Sequence, residues 1–420
     1  MGVEALEIHG GRPLSGQTRI YGAKNAALPI LAATVMVEGT CEIQGVPDLQ
    51  DVRVMCEILG HLGAHVERRG DTLIVDSRDI RSTEVPLHLM RQMRSSIFLM
   101  GPLLARFGEV TISKPGGCVI GQRPIDYHLR GIRMLGVTIE EQHGFIRCTC
   151  NRLMGTTITL DFPSVGATEN LIMAAVLSDG QTVLENVARE PEVVDLARFL
   201  NRSGARIEGA GGGTILVDGV HHLQGCGYRV IPDRIVAGTM LIAAAATGGE
   251  VELLDVESRH LGAVISKLRE AGVEMRVEPD RIVVLPGRDY RGVNVRTAPY
   301  PGFPTDLQAP LTAFLTTAQG ISVVKEDIFE ARFKHADELA RMGADITVDL
   351  RAAVVRGVPR LSGAVVEASD LRGGAALVIA GLMADGETRV EGCQHIDRGY
   401  QQLEVYLRDL GAAVERVVLP

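Results

Sequence analysis

LGAHVERRGDTLIV, residues 62–75, decides the fold because its pattern recurs along the chain. In each copy a glycine follows a charged, helix-like segment, and alternating strand residues follow the glycine. The marker glycines are Gly63, Gly136, Gly204, Gly272, Gly343 and Gly411. Their separations of 73, 68, 68, 71 and 68 residues define six repeated units of about 70 residues.

A second series of segments lies between these copies. ATENLIMAAVLSDGQTVL, residues 167–184, is an example: an apolar helical run, a glycine and a strand. Such runs are apolar nearly all round, which predicts buried helices, whereas amphipathic segments such as QQLEVYLRDLGA, residues 401–412, predict surface helices. The marker glycines suit the left-handed conformation that ends a helix. Strands alternating with helices predict the α/β class, and six units predict two domains of three.

The bulk composition narrows the classes of function. Hydrophobic residues make up 46% of the 420 residues, and the net charge of −9 argues against general nucleic-acid binding. The seven cysteines form no CxxC motif, and neither a signal peptide nor a membrane-length apolar run is apparent. We therefore expect a cytoplasmic protein with free thiols, no metal site and no membrane insertion.

Charged residues collect where the helices of the repeated units begin. The cations there are Lys24, Arg94, Arg123, Arg234, Arg332, Arg372 and Arg398, and the acids are Asp48, Asp126, Asp233, Asp306, Asp370 and Asp397. Helix N-termini present free amide donors and partial positive charge, so added cations predict a site for a phosphate or carboxylate. On pattern alone, Asp48, Asp195 and Ser164 are assigned mostly to helix capping.

Several motifs at these positions match one known family. They include GAKNAALPI (22–30), PGGCVIGQRPIDYHL (115–129), SVGATEN (164–170), PGFPTDLQAP (301–310) and HIDRGY (395–400). With these motifs in the family's order, the chain resembles the UDP-N-acetylglucosamine enolpyruvyl transferases over essentially its whole length. The cysteine loop and HIDRGY are specific signatures, which the sister family that makes enolpyruvyl shikimate phosphate is not expected to carry.

The resemblance implies a fold and a reaction. The fold is two inside-out α/β barrels, the first at 22–230 with the cysteine loop and the second at 1–21 plus 231–420. The reaction transfers the enolpyruvyl group of phosphoenolpyruvate to the 3-hydroxyl of UDP-N-acetylglucosamine and releases phosphate. This is the first committed step of peptidoglycan synthesis, and it requires neither a redox cofactor nor a metal.

The resemblance also implies roles for individual residues. Cys118 is the thiol that reacts with phosphoenolpyruvate, and Asp306 is the candidate base for the sugar hydroxyl. Lys24, Arg123 and Arg398 correspond to the clamp on phosphoenolpyruvate. The further residues implied to contact substrates are Asn25, Arg94, Arg332, Arg372 and Ile328. Fosfomycin is the expected covalent inhibitor, acting at Cys118.

The nucleotide is expected to contact two stretches of chain. The first is Arg123, Pro124, Ile125, Asp126, Tyr127 and His128; the second is Ser164, Val165 and Gly166, at a helix start suited to phosphate. Two departures from the family pattern stand out. Phe162 replaces a lysine that many relatives carry, and Gly373-Gly374 replaces Ala-Ser, which is expected to loosen that helix start.

Two alternatives to the main hypothesis remain at this point. One is an enolpyruvyl transferase for another acceptor, such as shikimate 3-phosphate. The other is a catalytically silent paralogue that binds the UDP-sugar and regulates the pathway. Lys24, Cys118, Asp306 and Arg398 are all present, which disfavours the silent paralogue.

Overall fold

The computed structural model describes residues 4–113 and 125–419. These residues divide into two compact units. The first, unit A, comprises residues 22–113 and 125–231, and the second, unit B, comprises residues 4–21 and 232–419. We propose that units A and B are the two domains of the chain.

The helices and strands of the described residues are numbered in chain order. The α-helices are α1 Lys24–Ala33, α2 Gln50–Leu62, α3 Leu87–Gln92, α4 Met100–Phe107, α5 Asp126–Met134, α6 Val165–Val176, α7 Pro191–Arg202, α8 Arg234–Thr247, α9 Gly262–Ala271, α10 Gln308–Leu315, α11 His335–Arg341, α12 Leu371–Met383, α13 Cys393–Ile396 and α14 Leu403–Asp409. The strands are β1 Glu4–His9, β2 Ser15–Arg19, β3 Val37–Glu38, β4 Thr40–Gln44, β5 His65–Arg69, β6 Thr72–Asp76, β7 Glu109–Ser113, β8 Thr138–Gln142, β9 Phe145–Thr149, β10 Thr157–Thr159, β11 Gln181–Glu185, β12 Arg206–Glu208, β13 Thr214–Asp218, β14 Leu223–Gln224, β15 Gly227–Arg229, β16 Glu250–Leu254, β17 Met275–Val277, β18 Arg281–Val284, β19 Val295–Arg296, β20 Ile321–Lys325, β21 Asp345–Asp349, β22 Ala352–Arg356, β23 Val365–Glu367, β24 Glu387–Glu391 and β25 Ala413–Val418. Short 3-10 helices occupy Thr34–Met36, Arg94–Leu99, Ser258–Leu261 and Thr305–Leu307.

Each repeated unit builds one small sheet. In the third unit, β10 pairs in parallel with β11 across the buried helix α6, and β11 pairs antiparallel with β13 of the following hairpin. The resulting order, β10-β11-β13-β12, recurs in β15-β4-β6-β5, β2-β16-β18-β17 and β19-β20-β22-β21. The predicted α/β class is confirmed. Each of these four sheets combines one parallel pair with antiparallel pairs, however, so the sheets are mixed.

The apolar helices lie at the centre of each unit, as their sequences predict. In α6 every residue from Ala167 to Val176 is buried, and in α12 every residue from Arg372 to Leu382 is buried. Helices α8, α10 and α12 contact one another in unit B, and α6 contacts both α1 and α4 in unit A. Helices inside and sheets outside make the inside-out barrel that the resemblance implied.

The marker glycines end or follow the surface helices. All six have positive φ, from 87° at Gly411 to 112° at Gly63, a region that glycine enters without the steric cost of a Cβ. The capping assignments are less uniform. Ser164 caps α6 by accepting from the Ala167 amide at 3.4 Å. The assignment is wrong for Asp195, which lies within α7 and accepts from the Tyr228 hydroxyl at 2.6 Å. Asp48 lies just before α2 and binds the Arg53 guanidinium.

Two strands join the sheet of one unit although the helix that follows each of them in sequence belongs to the other unit. Strand β2, which precedes α1 in sequence, pairs in parallel with β16 of unit B, while β15, which precedes α8, pairs in parallel with β4 of unit A. The chain therefore passes between the units twice, near residues 21 and 231. Strand β1 also joins unit B, where it lies between β24 and β25 and completes the last sheet.

Candidate functional site

In unit A, Lys24 lies at the start of the buried helix α1, and its side chain is almost fully buried. Its ammonium lies 3.1 Å from a carboxylate oxygen of Asp51, in the first turn of α2, and both residues are less than a tenth exposed. Asn25 follows and is half-buried. Lys24 is the first residue of α1, and at a helix N-terminus an anion would also find amide donors.

His128 and the start of α6 lie together in unit A. A Cβ added to Gly166 would lie 3.4 Å from both Cε1 and Nε2 of the His128 ring, so a side chain here would crowd the imidazole. The other ring nitrogen, Nδ1, lies 3.0 Å from the Asn170 amide nitrogen. Ile125 and Tyr127 beside it are half-buried, and Asp126 is exposed. The structure thus brings the two predicted nucleotide-contacting stretches into contact at His128 and Gly166.

His128 is held neutral by its surroundings. Burial, and next the positive charge of Arg94, lower its pKa to about 4. In the unfolded chain the pKa is about 6.5, so between these values only the unfolded state takes up the proton. We expect the lowered pKa of His128 to decrease the free energy of unfolding by roughly 3 kcal/mol as the pH falls from 7 to 4. Urea unfolding of the parent and of His128→Gln across this range measures the effect, and equal pH slopes would contradict it.

In unit B, Asp306 lies between two buried arginines. Its Oδ1 accepts from Nη2 of Arg332 at 2.7 Å, and its Oδ2 accepts from Nη2 of Arg372 at 3.0 Å. Both arginines are 4% exposed. Burial lowers the pKa of Arg372, but the charge of Asp306 outweighs it, so the net pKa is raised and the guanidinium stays charged. This cluster contains two cations and one anion, a net positive charge that suits an anionic substrate.

Tyr400 fixes the position of Arg372. The guanidinium carbon lies 5.3 Å from the centroid of the Tyr400 ring, and the Tyr400 hydroxyl lies 2.9 Å from the Thr239 hydroxyl. Tyr400 is 1% exposed. Asp370 caps α12 beside it, accepting from the amides of Arg372 and Gly373 at 2.9 Å each. Arg372 is therefore held by side chains of three other segments of unit B, those containing Thr239, Asp306 and Tyr400.

A buried carboxylate, Glu326, organises the loop that contains Ile328. Its Oε1 accepts from the backbone amide of Ile328 at 2.9 Å, and its Oε2 accepts from the hydroxyl of Thr305 at 2.9 Å. Thr305 in turn accepts from Nη1 of Arg332 at 2.7 Å. One carboxylate thus connects the predicted sugar contact, Ile328, to the cluster around Asp306.

The segment that contains Arg398 is fixed by its neighbour. Both carboxylate oxygens of Asp397 accept from Arg416 of β25, at 2.8 and 3.0 Å. The same guanidinium binds Glu404 of α14 and Glu4 of β1. Asp397 is therefore a structural residue, and the half-buried Arg398 follows it directly.

The glycine pair at 373–374 allows close packing at the start of α12. A Cβ on Gly374 would come within 2.6 Å of Cγ1 of Ile396 and 3.0 Å of Cβ of Ala368. We expect Gly374→Ala to cost about 1–3 kcal/mol of unfolding free energy because this packed contact must open. Gly262→Ala is the matched control, since Gly262 also begins a helix but has no atom within 4 Å of the added Cβ. Equal urea midpoints for the two variants would refute the clash.

Three predicted site residues, Cys118, Arg123 and Pro124, lie outside the described residues. The sequence interpretation also missed residues that the structure places in contact with the site. Asp51 binds Lys24, and Tyr400 and Glu326 support the cluster around Asp306. Tyr400 lies inside the HIDRGY motif, so the motif could have identified it. Asp51 and Glu326 lie outside every motif quoted above.

Comparison with known proteins defines the family. The family model described as EPSP synthase (3-phosphoshikimate 1-carboxyvinyltransferase) matches residues 8–407. The structure superposes on the enolpyruvyl transferase NikO from Streptomyces tendae with a TM-score of 0.91 and 28% identity, covering 100% of both chains. An EPSP synthase from Acinetobacter baumannii shares the fold at a TM-score of 0.76 and 19% identity, covering 99% of this chain and 100% of that one. The chain belongs to the enolpyruvyl transferase family.

Within that family, one group of relatives is much more similar in sequence. A UDP-N-acetylglucosamine 1-carboxyvinyltransferase 2 from Caldanaerobacter subterraneus subsp. tengcongensis is 53% identical, covering 98% of this chain and 99% of the relative. A UDP-N-acetylglucosamine 1-carboxyvinyltransferase from Clostridium botulinum is 49% identical over the same shares of the two chains. Across residues 4–113 and 125–419, none of the helices combines the length and apolar character needed to cross a membrane.

Proposed function

We propose that this chain is a UDP-N-acetylglucosamine 1-carboxyvinyltransferase, which transfers the enolpyruvyl group of phosphoenolpyruvate to the 3-hydroxyl of UDP-N-acetylglucosamine. The observation that carries the proposal is the identity of about half of all residues, over nearly the full length, with enzymes of that name. Its place is the first committed step of peptidoglycan synthesis, and its compartment is the cytoplasm. Both substrates are small anionic molecules, in keeping with the buried cations of both units.

The reaction is an addition followed by an elimination. A proton is added to the methylene carbon of phosphoenolpyruvate, which makes C2 electrophilic, and the sugar oxygen bonds to C2 as its hydroxyl loses a proton. The C2–O bond to phosphate then breaks and a methyl proton leaves, which restores the double bond. Cys118 is proposed as the acid at the methylene carbon and Asp306 as the base at the sugar hydroxyl.

The arrangement around Asp306 supports its assignment. Its two carboxylate oxygens accept from guanidinium groups of Arg332 and Arg372, and a carboxylate has about four acceptor positions, so the sugar hydroxyl could donate to it as well. Arg332 and Arg372 hold the carboxylate in one orientation. The proposed contact of Ile328 with the sugar is consistent with this, because Glu326 connects its loop to Thr305 beside Asp306.

The phosphate and carboxylate groups of the substrates are assigned to the cations. Lys24, Arg123 and Arg398 are proposed to bind phosphoenolpyruvate, with Arg94 contributing charge beside His128. Ser164, Val165 and Gly166 begin α6, a 12-residue helix, and are proposed to donate backbone hydrogen bonds to the nucleotide diphosphate. The neutral His128 ring, packed against Gly166, is proposed to contact the nucleotide by packing and hydrogen bonding rather than by charge.

Phosphate release tests the proposal directly. The purified chain is incubated with phosphoenolpyruvate and UDP-N-acetylglucosamine, and the expected result is phosphate release that depends on both substrates. Release with shikimate 3-phosphate in place of the sugar nucleotide would instead favour the other acceptor class. Binding of UDP-N-acetylglucosamine without phosphate release would favour the silent paralogue.

Fosfomycin supplies a separate test of Cys118. We propose that the inhibitor opens its epoxide on this thiol and forms one covalent adduct. Peptide mapping after exposure should place a single adduct on the peptide that contains Cys118. Cys56, which is half-buried and whose pKa burial raises to about 11, serves as the internal control, and equal labelling of the two thiols would reject the assignment.

A further inference from the structure

Two cysteines outside the proposed transferase site lie side by side in unit A. Cys41 is on β4, and Cys226 immediately precedes β15, the edge strand that pairs in parallel with it. The Glu42 amide donates to the Cys226 carbonyl at 3.0 Å, and the parallel register Gly227–Glu42 sets Cys226 beside Cys41. Neighbouring strands lie about 4.8 Å apart, within the range of Cα separations that a disulfide spans.

The two thiols differ in accessibility and in charge. Cys41 is fully buried, whereas Cys226 is half-exposed. The neighbouring Cys41 thiol lowers the pKa of Cys226; burial opposes this, and the Ser203 hydroxyl at 3.3 Å and the charge of Arg202 add to the lowering. The same contact and burial raise the pKa of Cys41. Cys226 is thus suited to be the attacking thiolate, and Cys41 is suited to be the resolving thiol, which reacts in the second step.

A cationic surface cavity adjoins Cys226. It has a volume of about 430 Å³ and is lined by Gln44, Arg202, Gly227, Tyr228 and Arg229. Arg202 is held in this lining by its Nε, which donates to the Gly227 carbonyl at 2.7 Å. The two guanidinium groups in this lining would concentrate small anionic reagents in the cavity, and the charge of Arg202 also acts on the Cys226 thiol.

We propose that Cys41 and Cys226 form a redox-active pair that is oxidised by anionic low-molecular-weight disulfides. The Cys226 thiolate attacks one sulfur of the reagent, forming a mixed disulfide and expelling one thiolate. Cys41 then loses its proton and attacks the Cys226 sulfur, which forms the Cys41–Cys226 disulfide and expels the second thiolate. The protein gives up two electrons, and the reagent is reduced to two thiols.

We expect the disulfide to attach the edge strand β15 covalently to β4. Strand β15 has three residues and is the edge strand of its sheet, so it should be among the first elements of unit A to open. The disulfide would hold its start to β4 and link residues 185 positions apart. Oxidation should therefore protect unit A from unfolding, in the manner of the transient redox disulfides of reducing compartments.

The test uses the full chain with glutathione disulfide as the probe at neutral pH. Peptide mapping without reductant should find a linked peptide containing Cys41 and Cys226, with a small amount of glutathione on Cys226 at early times. Cys41→Ser should accumulate the Cys226 adduct, whereas Cys226→Ser should lose both products. Cys56→Ser is the matched control and should behave as the parent.

Two outcomes would overturn the proposal. One is the absence of the linked peptide from the parent chain, a measurement that does not depend on any variant folding. The other is the appearance of glutathione on Cys56 or Cys150 as fast as on Cys226.

The role of the cavity is tested with cystamine, a cationic disulfide. Glutathione disulfide should react several-fold faster than cystamine at low salt, and Arg202→Gln should reduce that advantage. Equal rates for both reagents with the parent chain would contradict a role for the two arginines.

Discussion

Asp306→Asn is expected to lower turnover by about 10³-fold or more while binding of UDP-N-acetylglucosamine changes only a few-fold. An amide cannot take the proton of the sugar hydroxyl, and general-base groups typically contribute 10²- to 10⁴-fold. The amide also presents an NH₂ group toward one of the two guanidiniums, where the parent has an acceptor. Steady-state phosphate release and equilibrium binding of the nucleotide sugar measure the two effects.

The same variant should be less stable, and this must be separated from catalysis. Arg332 and Arg372, each 4% exposed, would lose the anion that both share. Removing one partner of a buried ion pair costs about 3–5 kcal/mol. Activity is therefore measured well below the unfolding transition of the variant. Glu330→Gln is the matched control, because Glu330 is an exposed carboxylate that pairs with Arg351. Turnover of Asp306→Asn within ten-fold of the parent would remove Asp306 from the base role.

Lys24→Met is expected to lower kcat/KM for phosphoenolpyruvate by about 10²- to 10³-fold, the usual loss when one charged or hydrogen-bonding group that stabilises a transition state is removed. It also leaves Asp51, 3% exposed, without the ammonium 3.1 Å away, so stability should fall as well. Kinetics with phosphoenolpyruvate as the varied substrate and urea unfolding measure the two losses.

A second substitution separates these two roles of Lys24. Lys24→Met with Asp51→Asn should recover much of the lost stability, because the buried negative charge is gone, but should not recover turnover. Lys267→Met, which removes a surface lysine paired with Glu270, should leave both quantities near those of the parent. Recovery of turnover in the double variant would mean that Lys24 acts only by neutralising Asp51.

The helices and turns of the fold could be predicted from the sequence because the same pattern recurs in each repeated unit. The marker glycines, the apolar helices and the amphipathic helices each recur, so an accidental pattern in one unit is checked against the others. Gly63 and Gly411 both have positive φ, and α6 and α12 are both buried, as their sequences indicate. The mixed sheets were not predicted, because the direction of a pairing depends on which strands meet and not on the alternation within each strand.

The site was predictable where residues lie in motifs and less so where they meet across the fold. Asp306, Arg332 and Arg372 were expected together, and they are in contact. The acid that binds Lys24 was not identified: Asp48 and Asp51 lie only three residues apart at the start of α2, and sequence does not say which faces α1. Asp195 was assigned to a cap because it follows a helix start, yet its partner Tyr228 is 33 residues away.

The position of β1 between β24 and β25 has a consequence for how the protein is made. Residues 4–9 leave the ribosome long before their partners, residues 387–391 and 413–418. At roughly 5–20 residues per second, synthesis of the intervening chain takes on the order of tens of seconds. Throughout that interval β1, which buries Ala5, Leu6 and Ile8 in the finished fold, has neither neighbouring strand to pair with, while unit A can already close once residue 231 has emerged. Unit B is therefore the later of the two to be completed on a nascent chain, and its first strands are the segment most exposed to chaperones and to premature association.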